Sequence, residues 1–538
     1  MDTVVHRTES YLSAAVAAWS ECLGAEHVVT RDSELKNAET ATFATTQRIP
    51  LILRPGDRSQ VQECLMVAGR FGVPIYPISG GKNWGYGSRV PVTDGSVLLD
   101  LGRMNRIVDF SEELAYVTVQ PGVTQRQLFE FLKSKGSRLW MDPTGASPEA
   151  SLIGNTVERG FGHTPYGDHF SHVCGMEVVL PNGECVQTGF ARFAGALAAP
   201  VSRWGLGPSL DGLFTQSNLG VVTQVTVWLM PAPEYFQTYY FRCDDDAGLG
   251  PVVEVLRSLR LRGIIRSTVH VGNDYKVIAG MCQYPFEAAG GKVPLRGPLL
   301  EKMRKEFQVG RWNGSGAFYG TRAQVAEARR ILRRELSGKV QKLQFLDDRM
   351  LRFARRFARP YSWLTGWDLS RALELIGPVY GLMQGVPTRH ALGSTHWRKR
   401  TPPPEDVDPD KDGCGLLWCS PVAPATGRHA SELVRLSEQL VLEHGFEPMI
   451  SLSMVSERAL TCVISLNYDR AVSGEDGRAA QCHEVLLHRL AENGYHPYRL
   501  NTASMGCIPD QDATARFLTG IRKVADPHGI LAPGRYVA

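Results

Sequence analysis

The segment PISGGKNWGYGS, residues 77 to 88, places four glycines within the nine positions from Gly80 to Ser88, directly after an apolar run. Backbone so thinly covered by side chains exposes N–H groups that can take up the oxygens of a phosphate or pyrophosphate. The pattern is neither a G-x-G-x-x-G loop opening a helix nor a Walker loop with Gly-Lys-Ser/Thr, so Lys82 is not assigned a phosphate-loop role. Alone, such a segment is more often just a tight turn. A second stretch, SLIGNTVERGFGHTPYGDHF (151 to 170), interleaves glycines with Asn155, Thr156, Arg159, Thr164, Tyr166 and His169. A core segment would not spend so many polar and φ-permissive residues, and a ligand surface is the better explanation. A third, GLFTQSNLGVVTQV, sets Gln216-Ser217-Asn218 before a glycine and an apolar strand.

The elements that must hold these segments follow from periodicity. IPLILRPGDRSQVQECLMVAGRFGVPIYPISGG reads as a short strand, a helix start at Asp57/Ser59, an amphipathic helix ended by Gly72, and a second strand, Pro74 to Ile78, that delivers the glycine loop. GSVLLDL, AYVTVQPG, GMEVVLPNGECVQTG and GVVTQVTVWLMP are further strands, one pair forming a hairpin around Pro181-Asn182-Gly183. From about Tyr235 helices and strands mix, with a basic helix near 323 to 336. TPPPEDVDPDKDGCG (401 to 415) reads as a surface loop, and the charge run WRKR (397 to 400) as a solvated face.

Bulk properties bound the function. A chain of 538 residues exceeds one core and implies two or more domains. A net charge of +4 is too mild over this length for a nucleic-acid partner. Eleven scattered cysteines without a CxxC or Cys/His cluster imply reduced thiols in a cytoplasmic protein, with neither a disulfide framework nor a metal site. Leu12 to Trp19 follows Glu9 without a basic segment and reads as part of an amphipathic helix, and no run is long enough for a membrane span.

Taken in order, GKNWGYG, GNTVERGFGHTPYGDH, DGLFTQSNLGVVT, YRLNT and DPHGILAPGR resemble the vanillyl-alcohol oxidase and p-cresol methylhydroxylase family of flavoproteins over nearly the whole chain. The resemblance implies an α+β, two-domain fold. Residues 1–233 and 494–538 would build an FAD-binding domain from both chain ends, with a substrate or cap domain, 234–493, inserted between them. It implies that Ser79, Gly80, Gly81, Lys82, Asn83 and Gly85 wrap the FAD pyrophosphate. Ile153, Gly154, Asn155, Arg159, Gly160, Tyr166, Gly167, His169, Gly220, Val221 and Arg535 match further cofactor-lining positions. Family members oxidise para-substituted phenols at the carbon attached to the ring, through a quinone methide, using two tyrosines and an arginine around the phenolate. These match Tyr86, Tyr498 and Arg499. Read without the resemblance, Tyr86 is a packed aromatic and Tyr498-Arg499 a strand-end surface pair. A small phenolic substrate, an acceptor that is oxygen or an electron-carrier protein, and a homodimer complete what the resemblance implies.

Two positions depart from the family. Ala146 stands where the oxidases carry an aspartate; Asp142 and Glu149 are the nearest carboxylates and read equally well as loop acids. The dehydrogenase-type members also lack that aspartate, and YRLNT and GCGLLWCSPVAP look closer to them. Leu416 occupies the place of the flavin-linking histidine of some members, and Lys82 that of the linking histidine in berberine-bridge-type relatives. Non-covalent FAD is therefore expected, with Cys414 and Cys419 the only nearby nucleophiles. Two other readings remain open: a flavoprotein of the same fold acting on a specialised metabolite, and an FAD-binding subunit without turnover.

Overall fold

The structure, a computed structural model, describes residues 2–365 and 369–537. The first glycine loop leaves a four-stranded sheet ordered Val28–Val29, Ile52–Leu53, Val97–Asp100, Ile75–Ile78. The helix Arg58–Phe71 precedes the last of these strands. Asp57 caps it by accepting from Gln60 N–H, and Gly72 ends it at φ 66°. Val97–Asp100 lies between the two strands that this helix connects, and pairs in parallel with both. The C-terminal segment joins this sheet: Ile75 N–H donates to Ile530 and Ala532 N–H to the Ile75 carbonyl. A five-stranded antiparallel sheet follows, ordered Ile107–Ser111, Tyr116–Val119, Val221–Trp228, Val173–Val179, Cys185–Gln187, with the expected hairpin as its edge.

The second half is built on one large antiparallel sheet running Lys342–Leu346, Tyr235–Cys243, Trp312–Gly320, Val269–Asn273, Met449–Met454, Ala459–Asp469, Cys414–Cys419. Alternation along these strands sends their residues to two different places. Val271, Leu452, Ile464 and Leu417 pack into one apolar core with Val252, Leu332, Leu433 and Leu486 of the covering helices. His270, Ser451, Ser453, Val463, Leu416 and Trp418 take the opposite face, in register (His270 opposite Ser453, Ser451 opposite Val463), and look toward the glycine loop.

Two expectations are corrected here. WRKR is not a solvated face: Trp397 and Arg398 are buried, Arg398 donates to Glu447 (2.9 Å) and Glu475 (3.3 Å), and Lys399 donates to Asp469 (2.8 Å). Arg398 and Lys399 each meet an acid from a distant part of the chain, a pairing that no local run displays, and only Arg400 is exposed, over the Phe286 ring. The 401–415 segment is not a free surface loop either. Asp408 lies 3.6 Å from Lys82 Nζ, and Ser88 donates to Asp410 at 2.8 Å, so the segment closes over the glycine loop. Burial pushes the Asp410 carboxyl up to about 7. Among the described residues no helix is long and apolar enough to cross a membrane.

Candidate active site

A cavity of about 430 Å³ lies between the glycine loop and the polar face of the large sheet. Of the expected residues, Ser79, Gly80, Gly81, Lys82, Asn83, Tyr86, Gly154, Asn155, Gly160, Tyr498, Arg499 and Arg535 form its wall. The remainder stand behind it. Gly85 is a packing glycine, since a Cβ there would come within 1.9 Å of Trp418. Gly167 and Gly220 are likewise pressed against Thr268 and Val178. Ile153 and Val221 are core residues, Arg159 donates to Thr215 (3.1 Å), and Tyr166 stacks on His172 (4.0 Å between ring centres). His169 is held between Asn155 (2.5 Å) and Asp142 (2.6 Å).

Asp142 is thus no surface acid. It is buried and also accepts from the N–H groups of His163 (3.1 Å) and Thr164 (2.6 Å). Burial opposes its ionisation, but these bonds and His169 outweigh it and hold its pKa down.

Tyr498-Arg499 is not a surface pair. Tyr498 N–H donates to the Ser420 carbonyl (3.1 Å), and the Ser420 hydroxyl meets Tyr86 Oη at 2.8 Å. Arg499 Nη2 donates to Asn83 Oδ1 at 2.5 Å, and its Nε lies 3.2 Å from Glu158 Oε2. Glu158 also bonds Arg535, whose other arm donates to Tyr76 Oη at 2.6 Å. Burial pushes the Tyr86 phenol well above its ordinary value, with Tyr498 adding to the effect, and burial raises Tyr498 too. Both hydroxyls therefore stay protonated at neutral pH and can donate. Burial acts against the Arg499 charge, yet the Glu158 carboxylate holds the guanidinium protonated. The arrangement can surround one ligand oxygen with two phenol donors and a fixed positive charge, which favours its anion.

Sequence reasoning passed over Glu158, Ser420, His163, His270 and Lys276. Glu158 and His163 were open to notice inside GNTVERGFGHTPYGDH and Ser420 inside GCGLLWCSPVAP, whereas His270 and Lys276 carry no local signal. The rings of His163 and His270 lie 4.5 Å apart, and burial lowers both, His163 to about 4, so both are neutral.

The glycine loop suits a pyrophosphate. The N–H groups of Gly80 to Asn83 donate to no acceptor among the described residues. Gly81 sits at φ 66°, where a Cβ would fall 2.5 Å from Arg89 Cγ, and a Cβ on Gly154 would press on Ser79 at 3.3 Å. Side chains are excluded along a run of free donors, as close approach by phosphate oxygens requires. Leu416 reaches the cavity wall. Cys419 belongs to the core on the sheet's other face, and burial pushes the Cys414 thiol up to about 12.

A family profile described as an FAD binding domain matches residues 49–189. The chain is 46% identical over 527 residues to 1'-carboxy-chondrochloren decarboxylase of Chondromyces crocatus, covering 98% of this chain and 97% of that one. It is 29% identical to the flavoprotein subunit of 4-cresol dehydrogenase (hydroxylating) of Pseudomonas putida, covering 98% and 96%. The chain belongs to the vanillyl-alcohol oxidase and p-cresol methylhydroxylase family. The fold agrees: the 4-ethylphenol oxidase of Gulosibacter chungangensis, solved with isoeugenol, superposes with a TM-score of 0.88 at 28% identity over 98% of this chain and 97% of that one. Membership of this family makes the protein an FAD-dependent oxidoreductase with the two-domain flavoprotein fold.

Proposed function

We propose that the enzyme oxidises a para-substituted phenol at the carbon attached to the ring. The observation that carries this reading is the convergence of Tyr86, Tyr498 and Arg499 on one cavity that the free-donor glycine loop also lines. Tyr86 Oη and Tyr498 Oη donate to the substrate's phenolic oxygen, and Arg499 supplies the charge that lets it ionise. Ionisation lets the ring push a hydride off the ring-attached carbon, leaving a quinone methide. FAD, when bound, supplies the two-electron acceptor for that hydride. The residues that would hold it are the Gly80–Asn83 backbone, Gly154, Asn155 and Arg535. With Leu416 and Lys82 at the two linking positions, the flavin is held without a covalent bond.

The likeness to a decarboxylase favours a second outcome after the same first step. If the carbon next to the benzylic one carries a carboxylate, the electron pair of its C–CO2 bond forms a carbon–carbon double bond, carbon dioxide departs and the phenolate is restored. The net change is loss of one hydride to FAD and one carbon dioxide, with no water consumed.

The test is anaerobic mixing of the holoenzyme with a panel of 4-alkylphenols, 4-hydroxybenzyl alcohols and 4-hydroxyphenylalkanoates, with their O-methyl ethers as controls. Bleaching of the flavin by free phenols and not by the ethers supports the reading. No bleaching by any phenol, or equal bleaching by the ethers, overturns it. Admission of air then separates an oxygen-using enzyme, reoxidised rapidly, from one that needs a carrier protein.

A further inference from the structure

Four cations reach the cavity wall among the described residues: Lys82, Lys276, Arg499 and Arg535. Three have an acid partner, Lys82 in Asp408 and both arginines in Glu158. Lys276 has none among the described residues. The acid beside it on the helix Asp274–Ala279, Asp274, is turned to Arg311 at 2.9 Å. A buried ammonium with no counter-charge is costly, and burial lowers its pKa to about 8. The two cavity histidines are neutral, so Lys276 is the one cation on the described wall with no acid partner of its own.

Its position is specific. The stem runs beside Gly272, where a Cβ would lie 3.7 Å from Lys276 Cγ, and the ammonium rests 5.2 Å from the centre of the Trp418 ring. Trp418 lies near the end of the strand Cys414–Cys419, and Ser420 follows that strand directly. Ser420 holds the Tyr86 hydroxyl. The strand Cys414–Cys419 and the residue after it thus connect the ammonium, at Trp418, with the phenol end, at Ser420.

We infer that Lys276 binds a carboxylate on the para side chain of the substrate, making the substrate a phenol that carries an acid on a short arm. The inference rests on the phenol reading above, and it adds the group at the other end. When the ligand is absent the charge is stranded; when it binds, the ion pair forms in a site screened from water, where it is strong. Lys276 here sets specificity and positions the arm, while the hydride leaves from the ring-attached carbon as before.

The experiment uses two phenols that cannot lose a hydride because oxygen replaces the ring-attached carbon: 4-hydroxyphenoxyacetate and its neutral counterpart 4-propoxyphenol. Each is titrated calorimetrically into holoenzyme at pH 7, for wild type, Lys276→Met and Lys276→Arg. Wild type should bind the acid at least tenfold more tightly than the ether. Lys276→Met should lose that preference, with the ether's affinity changed less than twofold and flavin content and melting temperature kept. Lys276→Arg should restore part of it. Equal affinity of the acid for wild type and Lys276→Met overturns the inference and leaves the phenol site standing. Loss of flavin from Lys276→Met also overturns it, by showing that the charge serves a cofactor phosphate. If wild type binds neither probe, the phenol reading falls and the inference with it.

Discussion

The guanidinium carbon of Arg499 lies 4.3 Å from the centre of the Tyr86 ring. The charge covers the ring face while the Tyr86 hydroxyl is turned to Ser420, so one aromatic side chain both seats the cation and presents a donor. The two residues come from opposite ends of the chain.

Replacing Arg499 by alanine should remove the fixed charge facing the phenolic oxygen and cost on the order of 2–4 kcal/mol of transition-state stabilisation, roughly 30- to 1,000-fold in the rate of flavin reduction. Arg499→Lys keeps the charge and loses the fork to Asn83 and Glu158, so it should fall between. Tyr86→Phe and Tyr498→Phe each remove one donor and should cost less, about 1–2 kcal/mol. Stopped-flow reduction under anaerobic conditions reads all four; a wild-type rate in Arg499→Ala rules out its role.

Glu158 answers two buried arginines. Glu158→Gln leaves Arg499 and Arg535 without their counter-charge and should lower unfolding free energy by about 3–5 kcal/mol, seen in the denaturant midpoint at pH 7. Burial would raise the Glu158 pKa, but Arg535 and Arg499 hold it below its ordinary value. Its contribution is therefore fully present above the unfolded carboxyl value and is lost as pH falls through the folded one. The two proteins should converge in stability on acidification; a constant gap contradicts this.

Gly81→Glu puts a side chain at φ 66°, against Arg89, and an anion where phosphate oxygens are expected. The purified variant should be colourless, with far-UV circular dichroism retained. Gly95→Ala is the control, because Gly95 has φ 73° with nothing within 4 Å, so it carries similar backbone strain away from the cavity. If Gly81→Glu keeps its flavin, the loop does not hold the pyrophosphate.

Acid precipitation of the holoenzyme should leave yellow colour in the supernatant, since Leu416 offers no nucleophile and the Cys414 and Cys419 thiols are buried and held protonated. Colour retained in the pellet refutes non-covalent attachment, and peptide mapping then identifies the link.

What the sequence determined alone was everything that contiguous backbone must do. The glycine loop, GNTVERG and the C-terminal APGR constrain their own neighbourhoods, where small residues and special φ angles leave a readable trace. Most of the strands and helices that carry them follow from local periodicity in the same way. Tyr86, Tyr498 and Arg499 were legible only because they lie inside such motifs. Tertiary structure alone decided the electrostatics. WRKR looked solvated because Glu447, Glu475 and Asp469 lie far along the chain, and Asp142 looked like a loop acid because His169 does. Lys276 is the sharpest case: an unremarkable lysine in DYKVIA becomes an uncompensated charge when a sheet strand and Trp418 close around it. Charge balance is a sum over spatial neighbours, and only the folded chain says which neighbours are counted.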